Sequence, residues 1–178
     1  MKGSRLGPLS LFSLAAVVGL AADLASKAAV FRSLGFPSED AIVVIPNLLQ
    51  FVTRLNQGGI WSIGADYGVK MNTVLAIFSS VASFLIVIWA YIGIRSGERF
   101  FPIVLGAILA GALGNLHDRV VYQGVRDFIE VHYYDLWYFP TFNLADSCLV
   151  CGAACLILSS LLGVPLPHRQ GTAPKAAA

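Results

Sequence analysis

The sequence predicts a membrane all-α core of four transmembrane helices carrying a small β-rich extracytoplasmic subdomain. Three observations lead there. Of the 178 residues, 57% are hydrophobic and only 12% charged, with a mean hydropathy of +0.74; a soluble domain is about 45–50% apolar and about 25% charged. Four apolar stretches, about 9–31, 71–94, 100–121 and 142–162, approach or exceed the roughly 20 helical residues that cross hydrocarbon. The segments between them, 33–70 and 122–140, are rich in turn formers or aromatic residues. The whole chain, 1–178, reads as one membrane domain. A net charge of +2 with no basic cluster excludes nucleic acid as a partner.

In chain order, Lys2 and Arg5 precede the first apolar stretch, which continues past Asp23 and Lys27 to Phe31. That is long for the apolar core of a cleaved signal peptide, so a retained span is expected. Segment 33–70 is broken by Pro37, Pro46, Gly58, Gly59, Gly64 and Gly68. Within it, 42–45 and 49–55 read as short strands. In the second, Gln50, Arg54 and Asn56 alternate with Leu49, Phe51 and Leu55, which suggests a sheet with one wet face. The second span ends in a tight charged turn, 95–99. In the third, Gly106, Ala110 and Gly114 recur every four residues, a spacing that lets helices approach closely. Residues 122–140 read as a loop whose Tyr133, Tyr134, Trp137, Tyr138 and Phe139 form an interfacial aromatic cluster. After the fourth span, the proline- and alanine-rich tail 164–178 is expected to be disordered.

Positive charge orients the spans. Lys2, Arg5, Arg95, Arg99, Arg169 and Lys175 stand against Glu98 alone on one side, so both termini and the 95–99 turn are expected in the cytoplasm. Segments 33–70 and 122–140 then face outward. Cys148, Cys151 and Cys155 share one apolar run and read as small packing residues, not as a disulfide framework.

The chemistry concentrates between Gly114 and Ser147. Asp146 lies about four residues into the fourth span, roughly 6 Å below its end at a rise of 1.5 Å per residue; an intramembrane carboxylate is a functional candidate by default. Asp127 emerges at the same end from the third span, so both carboxylates can meet near the outer boundary. Two carboxylates in one desolvated site cannot both ionise easily, so the pair holds one proton near neutrality, one member able to take a proton and the other to give one. The alternative is that Asp127 pairs with Arg126 or Arg119 and that Asp146 caps the fourth helix. Asn115, Arg119 and Asn143 flank the carboxylates and can hydrogen-bond them or a substrate carbonyl. Asp23 and Lys27, four apart on one helical face, read as an ion pair inside the membrane. Asp118 reads as a structural partner of Arg119. No metal is expected: His117 and His132 lack a zinc-protease pattern. Ser62, Ser79 and Ser147 lack a partnered base in sequence.

These residues resemble the bacterial lipoprotein signal peptidase (signal peptidase II) family of membrane aspartyl proteases. Asp23-Leu-Ala-Ser-Lys27 is similar to its D-x-x-[ST]-K box, and the run from Asn56 to Ser62 to its N-x-G box. The run from Gly114 to Arg119 resembles G-N-L-[IL]-D-R, with His117 where an aliphatic residue is usual. The run from Gly124 to Phe128 resembles the V-V-D-F box, with Arg126 replacing an apolar residue. The run from Phe142 to Ser147 matches the second catalytic box unchanged. The resemblance implies a catalytic dyad of Asp127 and Asp146, support from Asn115, Arg119 and Asn143, a binding role for Asn56, and a need for Asp23 and Lys27 in activity or stability. Arg126 is expected to favour the ionised form of Asp127. The implied substrate is a diacylglyceryl-modified prolipoprotein, cut before its lipidated cysteine at the outer face of the cytoplasmic (inner) membrane. A monomer, no cofactor and sensitivity to globomycin-like cyclic peptides are expected. The rival readings are a proton-coupled transporter or assembly subunit using the same acids, and a lipoprotein-binding protein that does not cut.

Overall fold

The computed structural model describes residues 6–58, 67–94 and 99–163. Lys2, Arg5, Gly59 to Ser62, Gly64, Arg95, Glu98, Arg169, Lys175 and the tail 164–178 lie outside the described residues, and with them part of the charge-based orientation and most of the N-x-G box.

Among the described residues eight elements follow in the order α1 (Pro8–Leu34), β1 (Ile42–Ile45), β2 (Leu49–Asn56), α2 (Val69–Gly93), α3 (Phe100–Tyr122), β3 (Val125–Tyr133), β4 (Trp137–Tyr138) and α4 (Leu144–Leu161). All four helices are long and apolar enough to cross a membrane. Each lies within three residues of its expected bounds, because uninterrupted apolar length is what sets a span.

The helices are not equivalent. In its most apolar window α3 is 61% buried inside the molecule, whereas α1, α2 and α4 are 11–17% buried. So α3 is the central post, and the other three turn large apolar side chains such as Val17, Phe78, Phe84 and Leu161 outward, as a hydrocarbon surround allows. Small residues let α3 be surrounded. A Cβ added to Gly19 would lie 2.7 Å from the Cβ of Ala110, and one added to Gly106 would lie 2.8 Å from the Cβ of Ala15. The Gly106, Ala110, Gly114 ridge is therefore the seam with α1. One residue over, Gly111 meets the Ala145 carbonyl and Leu149 of α4.

Segments 35–58 and 123–143 gather at one end of the bundle as a four-stranded antiparallel sheet in the order β1-β2-β3-β4. The expected strands at 42–45 and 49–55 are present. The expected loop 122–140 is not a loop: it supplies β3 and β4, and β3 pairs with β2 along Leu49↔Val131 to Asn56↔Val125. Polar residues at Arg126, Asp127, Glu130 and His132 mask the strand pattern, and its partner lies about seventy to eighty residues away in sequence. The expected wet and dry alternation of β2 also fails midway. The register shifts between Phe51 and Arg54, and the two consecutive residues Val52 and Thr53 are both buried. An extra residue in one strand reverses which face the following side chains take.

The α1–α3 seam yields a stability prediction. Gly106→Leu should lower the melting temperature in detergent by about 2–12 °C, from an overpacking cost of about 1–3 kcal/mol. Ile103→Leu, on the exposed side of the same helix, should leave it nearly unchanged. Thermal scanning of the purified variants reads both.

Candidate active site

The sheet delivers Asp127 to the start of α4. Beyond its pairing with β2, β3 is stitched to the residue before the helix cap: the Phe128 and Ile129 amides donate to the Phe142 carbonyl at 3.0 and 2.8 Å, and the Phe142 amide donates back to Ile129 at 3.0 Å. Asn143 then caps α4 in extended conformation, and its side-chain oxygen accepts from the Asp146 amide at 2.9 Å. The Asp146 carboxylate accepts from the Asn143 amide at 3.2 Å, which closes a capping box. Asp146 is thus in the first turn of α4, shallower than the four residues expected. The capping reading holds for one oxygen only, because Asn115 donates to the other, Oδ1, at 2.7 Å.

The same Asn143 side chain turns its nitrogen the other way and donates to Asp127 Oδ1 at 2.7 Å. One fully buried amide therefore joins the strand bearing Asp127 to the helix bearing Asp146. Asn115 closes a second link, accepting from Asn143 at 3.2 Å. Asn56, on β2, donates to Asp127 Oδ2 at 3.2 Å and accepts from the Gly58 amide at 2.9 Å.

Behind this layer lies a buried ionic cluster. Lys27 contacts Asp23 at 2.8 Å and Asp118 at 3.2 Å, and donates to Asn115 Oδ1 at 3.3 Å. The other oxygen of Asp23 accepts from the Ala145 amide at 2.9 Å, beside Asp146. The expected Asp23–Lys27 pair is thus present and tied to both α3 and α4. The expected Asp118–Arg119 pair is not. Asp118 accepts from Arg126 instead: from Nη2 at 2.7 Å, Nε at 3.2 Å and the backbone amide at 3.1 Å. Adjacent helix residues point apart, whereas β3 passes directly across Asp118. The Arg126 guanidinium also sits over the Tyr122 ring at 4.1 Å. His117 reaches the same Asp118 oxygen at 3.2 Å, so the two departures from the family boxes converge on one carboxylate.

Arg119 does not bond either candidate acid. It donates to the Gly58 carbonyl at 2.9 Å and to Asn72 Oδ1 at 3.3 Å, and Asn72 donates back to the Arg119 carbonyl at 3.0 Å. Arg119 therefore holds the segment that follows Asn56. Asn72 belongs to no sequence motif, although an amide near the start of an apolar helix is the kind of residue that finds a buried partner.

Burial pushes the Asp127 carboxyl up to about 7, and the negative charge of Asp146 adds to the rise, while hydrogen bonds from Asn56 and Asn143 oppose it. Arg126 does not hold Asp127 ionised, as the sequence suggested, because its charge is spent on Asp118. Among the described residues the site contains the carboxylates Asp23, Asp118, Asp127 and Asp146 and the cations Lys27, Arg119 and Arg126; all but Asp146 are buried. Four acids against three bases leave one excess negative charge, which a single proton on the Asp127–Asp146 pair cancels. No group of three His, Cys, Asp or Glu side chains that could hold a metal occurs among the described residues. His132 instead bonds the Tyr134 carbonyl at 3.0 Å. Cys148, Cys151 and Cys155 are free thiols.

The chain is similar to known proteins of one family. The family model described as Signal peptidase (SPase) II matches residues 15–162. A lipoprotein signal peptidase of Pseudomonas aeruginosa is 43% identical over 117 residues, 66% of this chain and 69% of the relative. One of Rhodopirellula baltica is 34% identical over 173 residues, 90% of this chain and 76% of the relative. Two solved structures titled as a bacterial membrane enzyme are similar in fold. One has a TM-score of 0.72 at 28% identity and covers 90% of this chain and 93% of its own. The other has a TM-score of 0.68 at 30% identity, with 83% and 90% covered. With the matched region spanning all four helices and the sheet between them, the chain belongs to the signal peptidase II family of membrane peptidases.

Proposed function

We propose that this chain is an aspartyl endopeptidase that removes signal peptides from diacylglyceryl-modified prolipoproteins by cutting before the lipidated cysteine. The observation that carries this reading is the Asn143 bridge, which draws two acids together in a site with one positive charge too few to balance both as carboxylates. The positive end of the α4 dipole lies at Asp146, where a negative charge is stabilised. Asp127, raised to about 7, keeps the proton near neutrality.

The reaction follows from that division. Asp146 takes a proton from a water molecule as its oxygen attacks the scissile carbonyl carbon. Asp127 gives its proton to the carbonyl oxygen, forming a neutral tetrahedral intermediate. Collapse breaks the C–N bond; the amine of the lipidated cysteine leaves with the proton held by Asp146, and the hydroxyl proton returns to Asp127. Asn56, Asn115 and Asn143 fix the two carboxylates, and Asp23, Lys27, Asp118 and Arg119 hold those amides and the Asn56 segment in place. In the bacterial inner membrane, with both termini cytoplasmic, the sheet end faces outward, where diacylglyceryl chains in the outer leaflet present the bond. The enzyme works as a monomer, needs no cofactor, and is blocked by globomycin-like cyclic peptides.

A gel-shift assay on a diacylglyceryl-modified prolipoprotein, with the unlipidated form as control, tests the activity. Cleavage of the lipidated form alone is expected; solute transport without cleavage, or binding without cleavage, would support the rivals. Asp127→Asn and Asp146→Asn should each lower kcat by at least about 10²–10⁴-fold. Asn143→Ala should lower it by about 10²-fold through misplacement of both acids.

Stability should carry the same signature. An acid held at about 7 when folded and near 3.8 when unfolded binds more protons in the folded state between those values. Stability contributed by the proton is therefore lost as pH rises from about 4 to about 7. Asp127→Asn removes the penalty, so its melting temperature should exceed the parent's at pH 8 and converge with it at pH 4, read by thermal scanning across pH.

A further inference from the structure

Beside the acids the sheet forms a groove of about 440 Å³, within the range of small-ligand sites. Arg54 and Asn56 of β2 line one side, Glu130 of β3 another, and the segment from Tyr138 to Thr141, just before the α4 cap, completes it. Asn56 belongs to both places: it lines the groove, and its amide donates to Asp127 at 3.2 Å. The groove therefore begins one residue from the candidate acid.

The groove's two charged side chains differ in how they are held. Glu130 accepts a hydrogen bond from Gln50 at 2.5 Å. Tyr138 stacks on His132 with centroids 5.3 Å apart and 9° between planes, so that wall is held. Arg54 is exposed, and among the described residues its guanidinium makes only a long hydrogen bond of 3.4 Å to the Thr53 carbonyl. Among the described residues it joins no ion pair, whereas Lys27 and Arg126 are both committed to Asp118. A planar guanidinium left free beside a peptide-sized groove is suited to a carboxylate.

We propose that this groove receives the polypeptide segment immediately following the lipidated cysteine, and that Arg54 selects for an acidic side chain within it. The proposal rests on the cleavage reading above and adds the substrate feature that reading leaves open. The signal peptide stays among the helices, while the first residues of the mature protein, which are outside the bilayer, lie along the sheet between Arg54 and Thr141. Arg54 acts on specificity and not on the chemical step, because Asn56 and not Arg54 bonds Asp127.

The test uses the full chain in lipid nanodiscs and two diacylglyceryl peptides that differ only in Asp or Lys at the second position after the cysteine. Both kcat/KM and the Kd of the peptides made uncleavable are measured. The parent should prefer Asp by about two- to fivefold, the span of an exposed ion pair, with the difference in KM. Arg54→Gln should bring the ratio to about one, Arg54→Glu should invert it, and Arg54→Lys should retain part of it. Lys70→Gln removes an exposed cation elsewhere at the sheet end and should leave the ratio intact. An unchanged ratio in Arg54→Gln, or equal loss in Lys70→Gln, overturns the proposal. Failure of the cleavage reading looks different: neither peptide is cut, and the Kd ratio alone then decides for or against the groove.

Discussion

One side-chain amide, that of Asn143, is the contact on which the rest of the site depends. Its oxygen accepts from the Asp146 amide and its nitrogen donates to Asp127. An amide can do this because it carries a donor and an acceptor on one rigid plane. A carboxylate in its place would repel both acids, and an apolar side chain would leave the Asp127 and Asp146 groups it serves without their partner in a buried setting, where an unmet polar group costs about 1–3 kcal/mol. The requirement propagates. For Asn143 to face Asp127, β3 must run beside Phe142; for β3 to be there, it must pair with β2; and β2 in turn brings Asn56 to the second oxygen of Asp127.

The buried charges impose the second constraint. Six buried ionisable groups and Asp146 are tolerable only if they are paired and nearly neutral as a set. The arrangement meets this in two tiers. Lys27 and Arg126 neutralise Asp23 and Asp118 outright, at 2.7–3.2 Å. Arg119 stands off the two remaining acids and binds Gly58 and Asn72, so they are left to share a proton. The inert tier makes the reactive one: had Arg126 turned to Asp127, as its position in sequence invites, the pair would lose its proton near neutrality. Close packing of α1 on α3 through Gly19, Gly106 and Gly114 holds the tiers together, since Gly114 admits the Asp23 side chain against the α3 backbone.

The sequence made some of this legible and not the rest, for physical reasons. The four spans were readable because crossing hydrocarbon demands unbroken apolar length, and strands 42–45 and 49–55, the second observed one residue longer, because proline and glycine bound them. Acids, amides and a lysine in or beside apolar spans brought Asp127, Asp146, Asn115, Asn143, Asp23 and Lys27 to notice, the resemblance added Asn56, and the structure gathers all of them. Strand β3 was hidden because its pairing is non-local and its polar residues obscure the alternation. The partner of Asp118 was misread because sequence adjacency favoured Arg119, although neighbouring residues on a helix diverge. Arg126 was misread for a related reason: in a strand, successive side chains take opposite faces, so the residue beside Asp127 in sequence is not beside it in space. Asn72 was passed over because a lone amide in an apolar run carries no motif.

The central claim is that Asp127 and Asp146 share one proton near neutrality. Infrared difference spectroscopy of the aspartate-labelled chain in nanodiscs, titrated from pH 4 to pH 9, measures it directly through the protonated-carboxyl stretch. The expected result is one carboxyl that deprotonates near pH 7, a band absent from Asp127→Asn and moved to lower pH in Asp146→Asn, where the like charge is gone. Loss of every protonated-carboxyl band by pH 5, or a band near pH 7 that survives Asp127→Asn unchanged, would contradict the account.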